Sequence, residues 1–174
     1  MKKIVLAALA ASAWLYAGPL GFESGVIKAH TEVFGDSTID PMFTKATSHL
    51  SIENAPSTLK GTMEVSVADF VSDNAKRDEH MHEAMESSAF PKASFEIKEV
   101  VPKNDAYLLK GTMSMHGVSK PFAFEGTIRE ESNKVRIKAN GTMKMSDYGI
   151  KPPKMMFLTV RDQVDLSVDV VLKR

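Results

Sequence analysis

Apolar and polar residues alternate through most of this chain, which is the period of a β-strand with one buried face. The alternation is cleanest in five segments: 58–67, 106–116, 121–129, 134–146 and 163–173. Weaker alternation predicts three more strands, at 25–34, 45–54 and 93–101. One-sided alternation favours antiparallel pairing with one face in water. The pattern therefore predicts an all-β fold of eight antiparallel strands.

A repeated triplet places glycine on the apolar rows of four of these strands. Gly-Thr-Met or Gly-Thr-Ile begins at Gly61, Gly111, Gly126 and Gly141. Glycine inside a strand marks a bend or a close approach, and inward glycines let a sheet curl until it closes. We therefore predict a barrel.

The same inward glycines are expected to leave space, which predicts that leucine at Gly111 or Gly141 would enter vacant volume. Methionine is adaptable to irregular guests and is frequent on the apolar rows: Met63, Met113, Met115, Met143 and Met145. An eight-stranded barrel is either just filled or holds one small ligand. The pattern leaves both a ligand cavity and a solid core open.

The segment 72–91 departs from strand periodicity and is predicted to form a helix between strands 3 and 4. Ser72 or Asp73 provides a capping signal, and Pro91 follows its end. Met81 and Met85 share one helical face, so the helix can lie across the barrel end as a lid. His80 and His82 point away from each other at this spacing, which argues against a metal site.

The segment 149–162 carries the apolar run Met155–Leu158 between Lys151, Lys154 and Arg161. We predict a loop beside the barrel mouth that receives a ligand tail through Met156 and Phe157. A loop that only packs over the barrel end is the alternative.

Residues 1–17 differ in character from the remainder. Lys2 and Lys3 precede an apolar run that is too short for a membrane span. We predict a signal peptide cleaved after Ala17, or after Ala13 because Leu15 is large for its position. The mature domain, 18–174, is then expected in the periplasm.

Composition excludes several functions. Lys+Arg and Asp+Glu both number 22, so no net field attracts nucleic acid. The absence of cysteine rules out disulfides, thiol catalysis and cysteine-bound metals. Neither a nucleophile elbow nor a phosphate-binding glycine loop is present. The paired methionines 113/115 and 143/145 suit Cu(I), which keeps a copper-binding module as an alternative function.

Four segments together resemble the YceI-like family, in order, over most of residues 22–172. "MSMHGVSKPFAF" at 113–124 is similar to its L-T-L-H-G-V-T-K-P-V motif, and "MKMSDYGI" at 143–150 to R-x-D-[FY]-G-I. The segment from "NAKRDEHM" to "FPKASFEI" resembles N-x-x-R-D-x-H-[ML] followed by F/Y-P-x-x-x-F. "VRDQVDLSVDV" looks like the terminal strand. Two positions depart: Glu23-Ser24-Gly25 replaces D-x-x-H-S, and Met145 stands where the family has arginine.

The resemblance implies a lipocalin-like barrel that holds a polyisoprenoid, quinone-like or fatty amphiphile and needs no other cofactor. It places Arg77 as donor to a head-group oxygen, Asp78 as the group that orients Arg77, and His80 and His116 nearby. His116 bracing the turn at Gly117 is the alternative. The full predicted ligand-binding set adds apolar and aromatic side chains: Met63, Met81, Met85, Met113, Met115, Phe122, Phe124, Met143, Met145, Tyr148, Met156 and Phe157.

The sequence thus predicts a periplasmic carrier or sensor of an apolar chain, without catalysis. Transient contact with a membrane or membrane protein and association into a homodimer stay open. A metal-dependent hydrolase that uses the two lid histidines ranks below the copper module.

Overall fold

Eight long strands close into an antiparallel barrel in the computed structural model, which describes residues 18–33, 37–155 and 158–174. Neighbours around the ring are β12-β9-β8-β7-β6-β5-β4-β1, and pairing of β1 with β12 closes it. The predicted fold is confirmed. The barrel strands are β1 (Gly18–Val33), β4 (Thr47–Ile52), β5 (Lys60–Ser66), β6 (Lys92–Lys103), β7 (Ala106–Met115), β8 (Val118–Glu131), β9 (Lys134–Lys144) and β12 (Gln163–Lys173).

Four short strands and one helix lie at one end of the barrel. β2 (Ser37–Ile39) and β3 (Met42–Phe43) pair with β1, while β10 (Lys154–Met155) and β11 (Leu158–Thr159) form a small hairpin. α1 (Ala75–Ala84) connects β5 to β6. Within the described part of the chain, no helix has the length and apolar character needed to cross a membrane.

The predicted apolar rows face the interior. β9 and β12 pair in unbroken register from Lys144↔Gln163 to Lys134↔Lys173, which fixes the faces of both strands. Val135 and Leu172, near one end of this pair, are fully buried. Along β9 the row then passes from this tightly packed end to Ala139, Gly141 and Met143, whereas along β12 it continues as valine and leucine.

One end of the barrel is a filled core. The side chains there are at most 1 % exposed: Leu20, Ile52, Leu59, Val135 and Leu172. Each of these large aliphatic side chains contributes roughly 1.5–3 kcal/mol by burial. The alternatives left open by the sequence are therefore both present, a solid core at this end and a cavity beyond it.

The inward glycines allow close approach of neighbouring strands, but the prediction that they leave empty space is wrong. A Cβ on Gly111 would lie 1.9 Å from the carbonyl oxygen of Glu96, and one on Gly126 would lie 1.9 Å from that of Lys138. At Gly141 the position is taken by the rings of Phe122 and Phe124, 2.8 and 3.0 Å away. Backbone and aromatic rings thus use the space that the missing Cβ atoms free.

Several predicted boundaries are corrected. β1 extends back to Gly18, whereas the prediction began it at 25, and a bulge between Phe22 and Ser24 lets the strand continue. A second bulge after Ile97 reverses the phase of β6, so Val100 becomes buried. The last predicted residues of 134–146 form a short 3₁₀ turn, Met145–Tyr148, instead of strand.

The helix is shorter than the predicted 72–91. It spans Ala75–Ala84, and its cap is Asn74, whose side-chain oxygen accepts a hydrogen bond of 3.1 Å from the backbone N–H of Arg77. The predicted caps, Ser72 and Asp73, lie two residues and one residue earlier than Asn74. Backbone hydrogen bonds in consecutive turns carry the chain from Met85 to Phe90.

Candidate functional site

A small apolar chamber occupies the middle of the barrel. It has a volume of about 110 Å³ and includes four residues of the predicted ligand set in its wall, Met63, Met113, Met115 and Phe124. Ala93 and Ala139 lie in the same wall, as does Val168. No ionisable side chain lines this inner chamber, which therefore suits hydrocarbon.

A larger chamber of about 630 Å³ lies above it, between the barrel rim and α1. Six residues of the predicted ligand set line this outer chamber besides Met115: Arg77, His80, Met81, Met85, Met143 and Met145. Phe70, Met115 and Leu166 belong to the walls of both chambers. The partition between them therefore consists of apolar side chains, of which methionine is the most adaptable.

The mouth of the outer chamber carries most of the polar groups. Lys76, Arg77 and Lys154 line it together with His80 and one carboxylate, Glu83. The guanidinium of Arg77 donates to the carbonyl oxygen of Thr38 (3.0 Å) and to Asp73 Oδ1 (3.2 Å). Arg77 thus connects α1 to β2 while its side chain remains partly exposed.

Asp78 lies outside both chambers, and its predicted role in orienting Arg77 is wrong. Its carboxylate accepts from the backbone N–H of Ser72 at 2.9 and 3.0 Å and from the Ser72 hydroxyl at 2.6 Å. Asp78 is one of two buried polar residues in the described chain, with 9 % exposure. It fixes the turn that leads into α1.

Replacing Asp78 with alanine should destabilise the fold. Hydrogen bonds to charged groups contribute roughly 1.5–3 kcal/mol, and the Ser72 N–H would lose its acceptor. Asp73→Ala is the control, since it removes the same charge from an exposed ion pair worth about 0–1 kcal/mol. Urea unfolding of both variants measures the difference, and equal losses would contradict a structural role for Asp78.

His116 braces a turn and lies outside the chamber walls, which favours the alternative left open by the sequence. His116 (φ 50°) and Gly117 (φ 72°) form the left-handed pair of a tight hairpin turn between β7 and β8. The His116 Nδ1–H donates to the carbonyl oxygen of Tyr148 (3.0 Å), and its ring packs 4.5 Å from that of Phe90.

Tyr148 and Phe122 also pack beside the chambers rather than in their walls. Tyr148 is 2 % exposed, and burial together with the charge of Asp147 raises the pKa of its hydroxyl. Phe122 lies over Gly141, with its ring 4.9 Å from that of Phe124. Neither residue lines the inner or the outer chamber.

The predicted loop at 149–162 contains the hairpin β10–β11 and does lie at the mouth. Pro153, Lys154 and Val160 line the outer chamber, and the backbone N–H of Val160 donates to the carbonyl oxygen of Pro153 (3.0 Å). Met156 and Phe157 fall outside the residues that the structure describes. Their predicted contact with a ligand tail stays a prediction.

Sequence analysis missed the rim segment 37–43 and Phe70. Ile39 and Pro41 line the outer chamber, Phe43 the inner chamber, and Phe70 both. None of them belongs to an alternating row. The only sequence signals for these residues were the apolar run at 41–43 and the apolar residues at 70–71. In the structure, a β-bridge between Met42 and Val71 joins these two segments.

The rim segment is attached to β1 by ionic hydrogen bonds. His30 Nδ1–H donates to Asp40 Oδ1 (2.6 Å), and the Lys28 ammonium lies 3.1 Å from Asp40 Oδ2. The bond to Asp40 raises the pKa of His30. Burial alone would raise the pKa of Asp40, but the hydrogen bonds from His30 and Lys28 outweigh it and lower that pKa.

These pKa shifts predict a pH-dependent contribution to stability. The raised His30 pKa gives a contribution that is complete below about pH 6.5 and lost as pH rises through the shifted value. The lowered Asp40 pKa gives a second contribution to stability, which is lost only as the pH falls into the acid range. We therefore expect His30→Gln to reduce the free energy of unfolding more at pH 5.5 than at pH 9. A reduction that is equal at both pH values would contradict this linkage.

The two lid histidines have separate surroundings. His80 lines the outer chamber, with Nδ1 3.5 Å from Glu83, whereas His82 Nε2 bonds the carbonyl oxygen of Phe70 (2.9 Å). Across residues 18–33, 37–155 and 158–174, no three His, Cys, Asp or Glu side chains are grouped closely enough to hold a metal ion. Met113 and Met143, one from each methionine pair considered for Cu(I), line different chambers: Met113 lines the inner chamber and Met143 the outer one.

A closed antiparallel barrel with an apolar interior, open at one end beneath a helix, is the architecture of the lipocalin-like class of β-barrels. The chain belongs to the YceI-like family, because the model of the YceI-like domain matches residues 24–172.

Known relatives agree with this assignment. The chain is 28 % identical to the UPF0312 protein of Pseudomonas putida over 128 residues, which is 68 % of this chain and 66 % of that protein. It is 31 % identical to the UPF0312 protein of Yersinia pestis (strain Pestoides F) over 85 residues, 44 % of each, so the match spans less than half of that relative. Burkholderia cenocepacia BcnA shares the fold, with a TM-score of 0.75 at 16 % identity over 85 % of this chain and 95 % of BcnA.

Proposed function

We propose that this protein holds the apolar chain of an amphiphile inside its barrel, as a carrier or sensor and without a catalytic step. The supporting observation is the order in which the environment changes along the barrel axis, from the filled end to the open mouth. A filled core is followed by a chamber without ionisable groups and then by a chamber whose mouth carries Lys76, Arg77 and Lys154. Hydrocarbon fits the inner chamber, and a polar head group fits the mouth of the outer chamber.

The energetics favour such a ligand. Each buried methylene contributes roughly 0.8 kcal/mol, whereas association costs about 4–15 kcal/mol in lost freedom. A dozen buried methylenes then contribute roughly 10 kcal/mol, which lies within the range of this cost, so contacts of the head group supply part of the net affinity. Arg77 and His80 are the proposed head-group contacts, while Met81 and Met85 cover the chain from above.

The proposal includes export to the periplasm. It rests on the sequence of residues 1–17, in which Lys2 and Lys3 precede an apolar run that is too short for a membrane span. Amphiphiles are exchanged most readily at a membrane surface, which makes transient membrane contact part of the proposal. The comparisons give the copper alternative no support.

Charge placed on the underside of α1 should weaken binding. Met85→Glu removes an apolar contact worth roughly 1.5–3 kcal/mol and brings a carboxylate toward the chain, so we expect at least about tenfold weaker binding of N-phenyl-1-naphthylamine, an uncharged apolar fluorophore. Met42→Glu is the matched control, since Met42 is an exposed methionine that lines neither chamber. Fluorescence titration of delipidated protein measures both. Unchanged binding by Met85→Glu, or equal losses in the two variants, would contradict the proposal.

A further inference from the structure

Methionine is concentrated around the two chambers, whereas the filled end of the barrel consists of leucine, isoleucine and valine. Three methionines line the inner chamber, and Met115 is shared with the outer one. Met42, in contrast, is exposed to solvent and lines neither chamber. The methionines of the outer chamber are Met81, Met85, Met115, Met143 and Met145. Thioether groups therefore collect on the surface that an apolar ligand would contact.

Small solutes can reach these thioethers from the mouth of the barrel. The outer chamber has a volume of about 630 Å³, which is room for many water molecules at ~30 Å³ each. Met81, Met85 and Met145 are half-buried, whereas Met113 in the inner chamber is only 6 % exposed. Hydrogen peroxide is little larger than water, so it can contact the outer methionines while the barrel stays folded.

Peroxide converts a thioether from an apolar group into a polar one. The sulfur lone pair attacks one oxygen of hydrogen peroxide, and the O–O bond breaks. The proton of the new S–OH group passes to the departing hydroxide, so the products are methionine sulfoxide and water. Sulfur loses two electrons and the peroxide gains them, and the sulfoxide disrupts an apolar site because its oxygen is polar.

The barrel side of the outer chamber is poorly suited to such an oxygen. Its wall is largely aliphatic and includes Val164 and Leu166. Thr31 is polar, but its hydroxyl already faces two backbone carbonyl oxygens at 3.0 Å each. A buried acceptor without a donor is unfavourable, so water must enter the chamber with the sulfoxides. An oxidised chamber is therefore wet and suits hydrocarbon less well.

We propose that the methionines of the outer chamber form an oxidation site, and that their conversion to sulfoxides by a peroxide releases the bound apolar chain. This inference rests on the proposed function and adds a chemical control to it. An unpaired polar group in an apolar site weakens binding by about tenfold or more. Methionine sulfoxide reductases reverse the modification, so the release is reversible.

The test measures the affinity of delipidated protein for N-phenyl-1-naphthylamine before and after treatment with hydrogen peroxide, with the excess removed by catalase. Peptide mass spectrometry locates the sulfoxides, and circular dichroism monitors the fold. We expect sulfoxides at Met42, Met81 and Met85 before Met113. Binding should weaken at least about tenfold once the outer methionines are oxidised, and methionine sulfoxide reductases A and B should restore it.

Three outcomes would overturn the inference and leave the proposed function standing. They are undiminished affinity in the oxidised protein, outer methionines that resist peroxide, and a loss of affinity that accompanies unfolding. Untreated protein that does not bind the fluorophore would overturn both proposals.

Leucine variants assign the effect to the chamber. Leucine at all five outer methionines keeps the wall apolar and removes its thioethers. Each variant is compared with itself before and after peroxide, so a change in its starting affinity does not enter. We expect less than about a threefold loss in this variant, whereas Met42→Leu should lose at least about tenfold, as the unmodified protein does. If the fivefold variant fails to fold, Met81→Leu with Met85→Leu on α1 serves and should lessen the loss. Equal losses in the leucine variant and in Met42→Leu would overturn the assignment.

Discussion

Gly111→Ala should destabilise the barrel far more than Gly141→Ala, although both glycines face inward on neighbouring parts of the same wall. The new Cβ at Gly111 would lie 1.9 Å from the carbonyl oxygen of Glu96, within the paired backbone of β6. Backbone in a sheet cannot retreat without breaking its ladder. We expect a loss above the roughly 1–3 kcal/mol that overpacking typically costs.

Gly141 provides the matched comparison. Its Cβ would meet the edge of the Phe122 ring at 2.8 Å, and a side chain can rotate away. The loss should stay within the usual range for overpacking. Urea unfolding of the two delipidated variants measures the difference. If Gly111→Ala were as stable as Gly141→Ala, the close approach of β6 and β7 described here would be wrong.

Removing the bound amphiphile should lower the melting temperature by roughly 5–10 °C. A ligand at 100 times its Kd stabilises a protein by about 2.7 kcal/mol, and each kcal/mol shifts the melting temperature of a chain of this size by about 2–4 °C. The physical reason is that the chain fills chambers that are otherwise lined by unpacked methionine and aromatic side chains. Circular dichroism melts before and after organic extraction, and after reloading with hexadecanoate, give the shift.

Met85→Glu supplies the control for this measurement. If it binds weakly, as expected, its melting temperature should change little on extraction or reloading. Met42→Glu should behave as the unmodified protein does. A melting temperature that is the same with and without ligand in the unmodified protein would contradict binding inside the barrel.

Strand number, faces and closure were predictable because they follow from period-2 alternation and from inward glycine. Bulges were not, since the one after Ile97 depends on how β6 meets β7 and leaves no mark in local composition. The start of β1 was missed because Gly18, Pro19 and Gly21 individually favour turns. Pairing of Gly18–Leu20 with β4 overrides that preference.

The candidate site was predictable where it belongs to a regular element. The methionines of β5, β7 and β9 and the inner face of α1 all line the chambers, because strand and helix periods determine their direction. The role of Asp78 was predicted wrongly, and that of His116 was left open between two alternatives. Both outcomes arise because family motifs mark residues that maintain the fold as well as residues that touch a ligand. The rim segment 37–43 was missed because its position depends on bonds to β1 and α1 that are distant in sequence.

Native mass spectrometry of the protein purified without detergent, before and after organic extraction, tests the central claim most directly. We expect one additional mass per chain that disappears on extraction and is recovered in the organic phase as an amphiphile with a long apolar chain. A chain at its own mass before extraction, with no amphiphile in the extract, would contradict the proposal that this barrel holds an apolar chain.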